Sequence, residues 1–191
     1  MGQTPTHRIR LFRGESDGPL DTPEPEAEAR AEPVAEAESE AESEAGSCPI
    51  TVLNEQACQT FAALVEMGAG LVQCQAAVLY LIDDTNEQLT VAASWGLKDK
   101  DLHSSRPLRG ARVDLEVLVG HVVTIHKPTT FPVKGRFKSA VCIPLAINDL
   151  PLGTLWIFSA SKRSFSEGDL MSTELVTERL AREVDNWLAS A

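Results

Sequence analysis

The sequence predicts an α+β domain built on an antiparallel sheet and preceded by a long acidic segment. Three observations carry this. Two apolar runs, Ser139–Ile147 and Thr154–Ser159, flank the turn-forming stretch Asn148-Asp-Leu-Pro-Leu-Gly153, the pattern of a β-hairpin. Both runs are apolar at odd and even positions alike, so the strands need cover on both faces and belong in the middle of a sheet. Amphipathic helical periodicity appears near Leu53 and again after Phe165, at the two ends of the same stretch. Finally, charge divides the chain. Residues 15–47 hold twelve acidic side chains against Arg30 alone, so about 8 of the 11 net negative charges lie before residue 48.

That acidic stretch is Glu, Ala, Pro and Ser with almost no large apolar residue. It cannot bury enough surface to offset the entropy of ordering, so residues 1–47 are expected to be disordered. At their start, Arg8-Ile9-Arg10-Leu11-Phe12-Arg13 alternates basic and apolar residues. The alternation suits a short strand or a peptide that docks on a protein partner, with Arg8–Phe12 as its core. Residues 48–191 form the expected globular domain, close to the commonest domain size.

Within the domain, Ala57, Phe61 and Leu64 share one helical sector with Leu53, with Cys58 and Val65 at its edge. This helix is expected to close around Gly68-Ala69-Gly70. Ala77–Ile82 reads as a buried strand, and Leu89, Val91 and Ala93 alternate in a second, with Asn86 in the turn between them. Residues 95–138 are irregular. They contain His103, His121, His126 and four arginines, with a short helix from about Asp114 and an edge strand at Thr124–Lys127 stopped by Pro128. Ser166 and Asp169 have the spacing of a capping box at the head of the last helix. Leu170, Val176, Leu180, Ala181, Val184, Trp187 and Leu188 form its apolar stripe, whereas Met171 and Leu175 fall on another face, where exposure would suit a second subunit.

Taken together, this order of elements resembles a GAF domain. The resemblance covers Thr51–Ser190 and rests on Ser139-Ala-Val-Cys-Ile-Pro-Leu145, on Gly153-Thr-Leu-Trp-Ile157, and on Phe165 with Asp169 before the last helix. It implies a profilin-like antiparallel sheet with the N- and C-terminal helices on one face and a pocket of loop and short helix on the other. It also implies a sensory role in signal transduction and pairing of two subunits into a homodimer through the terminal helices. The candidate pocket residues are then His121, His126, Arg136, Phe137, Cys142 and Trp156.

Each chemistry found in that family needs particular residues. Covalent bilin attachment needs a cysteine in the pocket segment, and residues 95–138 have none. Methionine sulfoxide reduction needs an attacking and a resolving thiol; Cys142 stands on a strand that can face the pocket, without an evident second. The cyclic-nucleotide motif is half present: Ser161-Lys162 replaces Asn-Lys, Phe165 and Asp169 match, and Leu170 replaces a Glu, while Lys162 can pair with Asp169. His121 and His126 are candidate haem ligands, and Arg106, Arg109, Arg112 and Arg136 candidate anion contacts. There is no zinc quartet, Ser-His-Asp order or Walker loop.

The expectation is therefore a non-catalytic, cytoplasmic domain that binds a small molecule or a protein, with no cofactor assigned and neither nucleic acid nor membrane as partner. A sulfoxide reductase relative using Cys142 and a ligand-free dimerising scaffold are the alternatives.

Overall fold

The computed structural model describes Arg10–Leu11 and residues 55–190. Leu53, the expected domain start at Cys48 and the acidic segment lie outside them. The strands are β1 (Arg10–Leu11), β2 (Ala76–Ile82), β3 (Gln88–Trp95), β4 (Ser105–Pro107), β5 (Val123–Ile125), β6 (Ser139–Ile147) and β7 (Leu150–Ser159). The helices are α1 (Glu55–Leu71), α2 (Arg112–Leu118) and α3 (Glu167–Leu188). The sheet order is β1-β5-β6-β7-β2-β3-β4, antiparallel throughout except that β1 runs parallel to β5. Arg10–Leu11 thus forms a strand inside a stretch whose composition predicts disorder.

The doubly apolar hairpin lies in the middle of the sheet, and alternation sorts its side chains between two cores. Val141, Ile143 and Leu145 of β6, Leu155 and Ile157 of β7, and Ala77, Leu79 and Leu81 of β2 face the first core. There Phe61, Leu64, Val65 and Ala69 of α1 and Leu170, Val176, Leu180, Ala181, Val184 and Trp187 of α3 cover them. Ala140, Cys142, Trp156, Phe158, Val78 and Tyr80 face the second core, together with Val117 of α2. The two terminal helices therefore share one face, and the short helix closes the other. Val65, placed by periodicity at the edge of the α1 stripe, lies at its centre with no exposed surface.

A bulge between Leu79 and Tyr80 breaks the alternation of β3. Tyr80 pairs with Val91 and Leu79 with Ala93, so Ala92 has no direct partner. As a result Leu89 and Val91 turn to the second core while Ala93 joins the first, although a regular strand would put all three on one side. The expected wet face of this strand is reduced accordingly.

The capping box at the head of α3 forms as expected. Ser166 Oγ accepts from Asp169 N–H at 3.1 Å, and Asp169 Oδ2 accepts from Ser166 N–H at 2.8 Å. The expected Lys162–Asp169 pair does not form; Lys162 is exposed, and Arg163 Nη2 takes its place at 2.7 Å. Arg163 is better sited because its Nη1 also donates to Val72 O at 2.7 Å, which ties the end of α1 to the start of α3. Its guanidinium offers a separate nitrogen to each acceptor, held in one rigid plane. Leu188, assigned to the buried stripe, is half exposed in the last turn of α3, whereas Thr173 and Thr177 are buried by returning their hydroxyls to helix carbonyls.

Gly153 marks the closest approach between strands. A Cβ there would stand 2.0 Å from Tyr80 O and 3.0 Å from Leu81 Cα, both backbone atoms that cannot swing away. Gly153→Ala is expected to cost about 3 kcal/mol in urea unfolding. Gly70→Ala, on a part of α1 where a Cβ meets nothing within 4 Å, should stabilise by about 0.5–1 kcal/mol. Equal effects at the two positions would contradict this packing.

Asp169 also gives an acid-sensitive contribution. Partial burial is the largest single influence on its carboxyl and raises its pKa, but the bonds from Ser166 and the Arg163 charge together outweigh it and hold the pKa below 3.8. A depressed folded-state pKa stabilises above the unfolded value, and that stability is lost as pH falls through the folded one. Asp169→Asn is expected to destabilise by about 1 kcal/mol at neutral pH, with the difference from wild type shrinking below about pH 4. Urea midpoints of both proteins across the acid range measure it.

Candidate functional site

The second face of the sheet holds the buried polar chemistry of the domain, and its centre is Asp114. The chain reaches this position through a turn at Gly110 (φ +96°), after which α2 begins at Arg112 and puts Asp114 in its first turn with 1% of its side chain exposed. One carboxylate oxygen, Oδ1, accepts from Arg106 Nη2 at 2.5 Å, Thr154 Oγ1 at 2.9 Å and Trp156 Nε1 at 2.8 Å. These donors come from two strands. Arg106 is on β4, opposite Leu89 of β3, while Thr154 and Trp156 are two apart on β7 and therefore point the same way.

Aromatic rings surround this polar centre. The Arg106 guanidinium lies over the Tyr80 ring at 4.5 Å and the Trp156 ring at 5.8 Å, a cation–π arrangement that helps hold a charge away from water. Trp156 stacks on Phe158 at 5.8 Å, and Phe158 in turn meets Phe131 at 5.7 Å and Phe137 at 5.2 Å. Tyr80, Trp156 and Phe158 have no exposed surface. On the face expected to carry a pocket, these aromatic side chains pack against one another, and Arg106 and Asp114 are paired among them.

Two polar atoms in this cluster have capacity left: Tyr80 Oη and Arg106 Nε are buried without a hydrogen-bond partner. The guanidinium sits over the ring face of Tyr80. Burial pushes the Tyr80 pKa up to about 12, against the opposing Arg106 charge. Cys142 is adjacent, paired across the ladder with Trp156 and fully buried. Burial first, and the Asp114 charge second, raise its thiol well above the usual cysteine range. It is held as a neutral thiol, the opposite of what a nucleophile needs.

Of the six pocket residues expected from the sequence, the structure brings three together: Phe137, Cys142 and Trp156 all belong to the second core. Arg136 is exposed, as are Arg109 and Arg112, so Arg106 alone of the four candidate arginines enters the site. His121 lies between α2 and β5, and His126 directly follows β5 with a buried Nδ1 that has no partner. Tyr80, Asp114, Thr154 and Phe158 were not singled out by sequence reasoning. Thr154, next to Gly153 in the hairpin run, carried the one usable signal: a hydroxyl in an otherwise apolar strand must find a partner.

On the opposite face, a shallow groove of about 220 Å³ runs between Leu81, Asp83, Leu152, Val184 and Trp187, beside the C-terminal end of α3. It is separate from the polar cluster. Among the described residues, no helix is long and apolar enough to cross a membrane.

Removing Asp114 alone would leave the Arg106 charge buried and unmatched. Asp114→Ala is expected to cost about 3–5 kcal/mol, and adding Arg106→Met should recover part of that loss because the stranded charge goes too. Urea unfolding of the single and double variants tests this. A double variant no more stable than the single one would mean that the ion pair is not what Asp114 serves.

Comparison with known proteins follows this geometry. A family model described as GAF domain matches residues 58–186. The fold is similar to that of the GAF domain of an Acinetobacter phosphoenolpyruvate-protein phosphotransferase, with 18% identity, 75% of this chain and 90% of that chain covered, and a TM-score of 0.62. The corresponding domain from Coxiella burnetii matches with 18% identity, 74% and 89% coverage and a TM-score of 0.57. A type II free methionine-R-sulfoxide reductase from Thermoplasma acidophilum matches with 21% identity, 68% and 94% coverage and a TM-score of 0.54. No curated protein sequence matches significantly. Since the family match spans more than half of the residues and ends within α3, the chain belongs to the GAF domain family, whose members are sensory and regulatory domains of signalling proteins.

Proposed function

We propose that this GAF domain is a non-catalytic regulatory module that works by pairing through its two outer helices. The observation that carries this reading is the exposed apolar surface on those helices. Met67 and Leu71 stand one turn apart on α1 and are 48% and 54% exposed; Met171 and Leu175 stand one turn apart on α3 and are 61% and 68% exposed. Arg163 links the end of α1 to the start of α3, so the packed helices run antiparallel. At their contact a Cβ on Gly68 would meet Val176 Cγ1 at 3.3 Å, so the two helices approach closely there.

Four large exposed apolar side chains on the two packed outer helices support a protein contact more than a solvent face. A self-complementary patch of this kind suits a two-fold pairing of identical chains. The packed second face supports the same reading: Arg106 and Asp114 satisfy each other's charge, and Cys142 is a buried neutral thiol, unsuited to sulfoxide chemistry.

Native mass spectrometry of the full chain tests subunit number and bound mass together. A dimer without added mass is expected, and Met171→Glu with Leu175→Glu should weaken it at least tenfold in Kd, about 1.4 kcal/mol. A monomer carrying a bound small molecule would overturn pairing in favour of ligand sensing on the Tyr80–Arg106 side.

A further inference from the structure

The two edges of the sheet are finished differently. The β4 edge is three residues long and ends in Pro107, a residue that cannot donate to an incoming strand. The β5 edge, Val123–Ile125, has no proline and carries β1 alongside it in parallel register, Arg10 opposite Val123 and Leu11 opposite Thr124. A sheet edge with free main-chain donors and acceptors is a template for another strand, and here the chain supplies one itself.

The pairing is short, two residues, and β1 is separated from α1 by residues 12–54. Loop-closure entropy grows only as the logarithm of length, so such a tether keeps a segment available at an effective concentration on the order of millimolar. A two-residue ladder held in this way is easily exchanged. The composition also indicates what can replace it. Arg8, Arg10 and Arg13 alternate with Ile9, Leu11 and Phe12, whereas the rest of the chain is acidic. One polar atom beside the edge, His126 Nδ1 directly after β5, is buried without a hydrogen-bond partner. The strand seen on this edge comes from that basic and apolar stretch, and a competitor for the same edge is expected to share its character.

We propose that the outer edge of β5 is a docking edge for a short strand of alternating basic and apolar residues, occupied in cis by the chain's own Arg10–Leu11 and yielded to an incoming protein strand of the same pattern. The N-terminal segment then acts as a tethered competitor that sets how readily the edge accepts a partner. This surface is independent of the outer-helix pairing proposed above, so either can fail without the other.

The test uses the full chain and an Arg10→Pro, Leu11→Pro variant, which removes both main-chain donors of β1 without touching residues 55–190. Amide hydrogen exchange across 123–125 is expected to be about tenfold faster in the variant and unchanged in α1 and α3. A synthetic peptide of residues 6–13 should restore protection, and it should bind the variant about tenfold more tightly than wild type. Equal exchange in the two proteins, no protection by the peptide, or equal peptide affinity would each overturn the proposal. Equal protection by a peptide with its arginines replaced by glutamate would overturn the basic character assigned to the partner.

Discussion

Both sides of the sheet's middle are apolar, so neither can be left to water, and the rest of the domain follows from that constraint. Leu155 and Ile157 of β7 turn one way while Trp156 and Phe158 turn the other, and all four are fully buried. A strand of this kind needs two separate covers. On one side the cover is regular: two long helices, packed closely at Gly68 and Val176 and joined by Arg163. On the other it is irregular, and a long excursion between β3 and β6 must fold back over the sheet with only one short helix of its own. The two covers are held by different physics. Burial of aliphatic area holds the helices, whereas the excursion depends on a buried ion pair with three donors converging on one oxygen.

This difference explains how much of the molecule is legible in the sequence. Periodicity reports burial where a repeating element faces a uniform environment, and so the central hairpin, the sharing of one face by the terminal helices, the capping box at Ser166 and the exposure of Met171 and Leu175 all follow from residue patterns or from the family likeness built on them. The excursion repeats nothing. Arg106 looks like its neighbours Arg109 and Arg112 in sequence, and it is distinguished from them only because β4 pairs with β3 and turns its side chain inward. Asp114 reads as an ordinary helix-start acid; its burial is set by Thr154 and Trp156, far along the chain. The bulge at Tyr80 and the pairing of Arg10 with Val123 likewise have no local signal.

The candidate site changes character once these partners are seen. A histidine- and arginine-rich segment read as sequence suggests an open, charged pocket. In the fold one arginine of four is drawn in, where it meets a carboxylate and two aromatic rings, while Phe131 and Phe137 pack on Phe158 nearby. The polar groups still unmatched there, Tyr80 Oη and Arg106 Nε, belong to the same cluster as the ion pair. A ligand that reached Arg106 or Asp114 would have to compete with an internal salt link.

The Asp114 contacts also bear on the order in which the chain can fold. Its partners Thr154 and Trp156 stand 40 and 42 residues downstream, so the carboxylate cannot be satisfied until β7 has taken its place in the ladder. Contacts so distant in sequence are slow to form and are gained late. The helical layer is at least as non-local, since Arg163 reaches Val72 across 91 residues. Neither cover of the sheet can therefore close until the two ends of the domain have come together, so the fold is committed as a whole rather than one layer at a time.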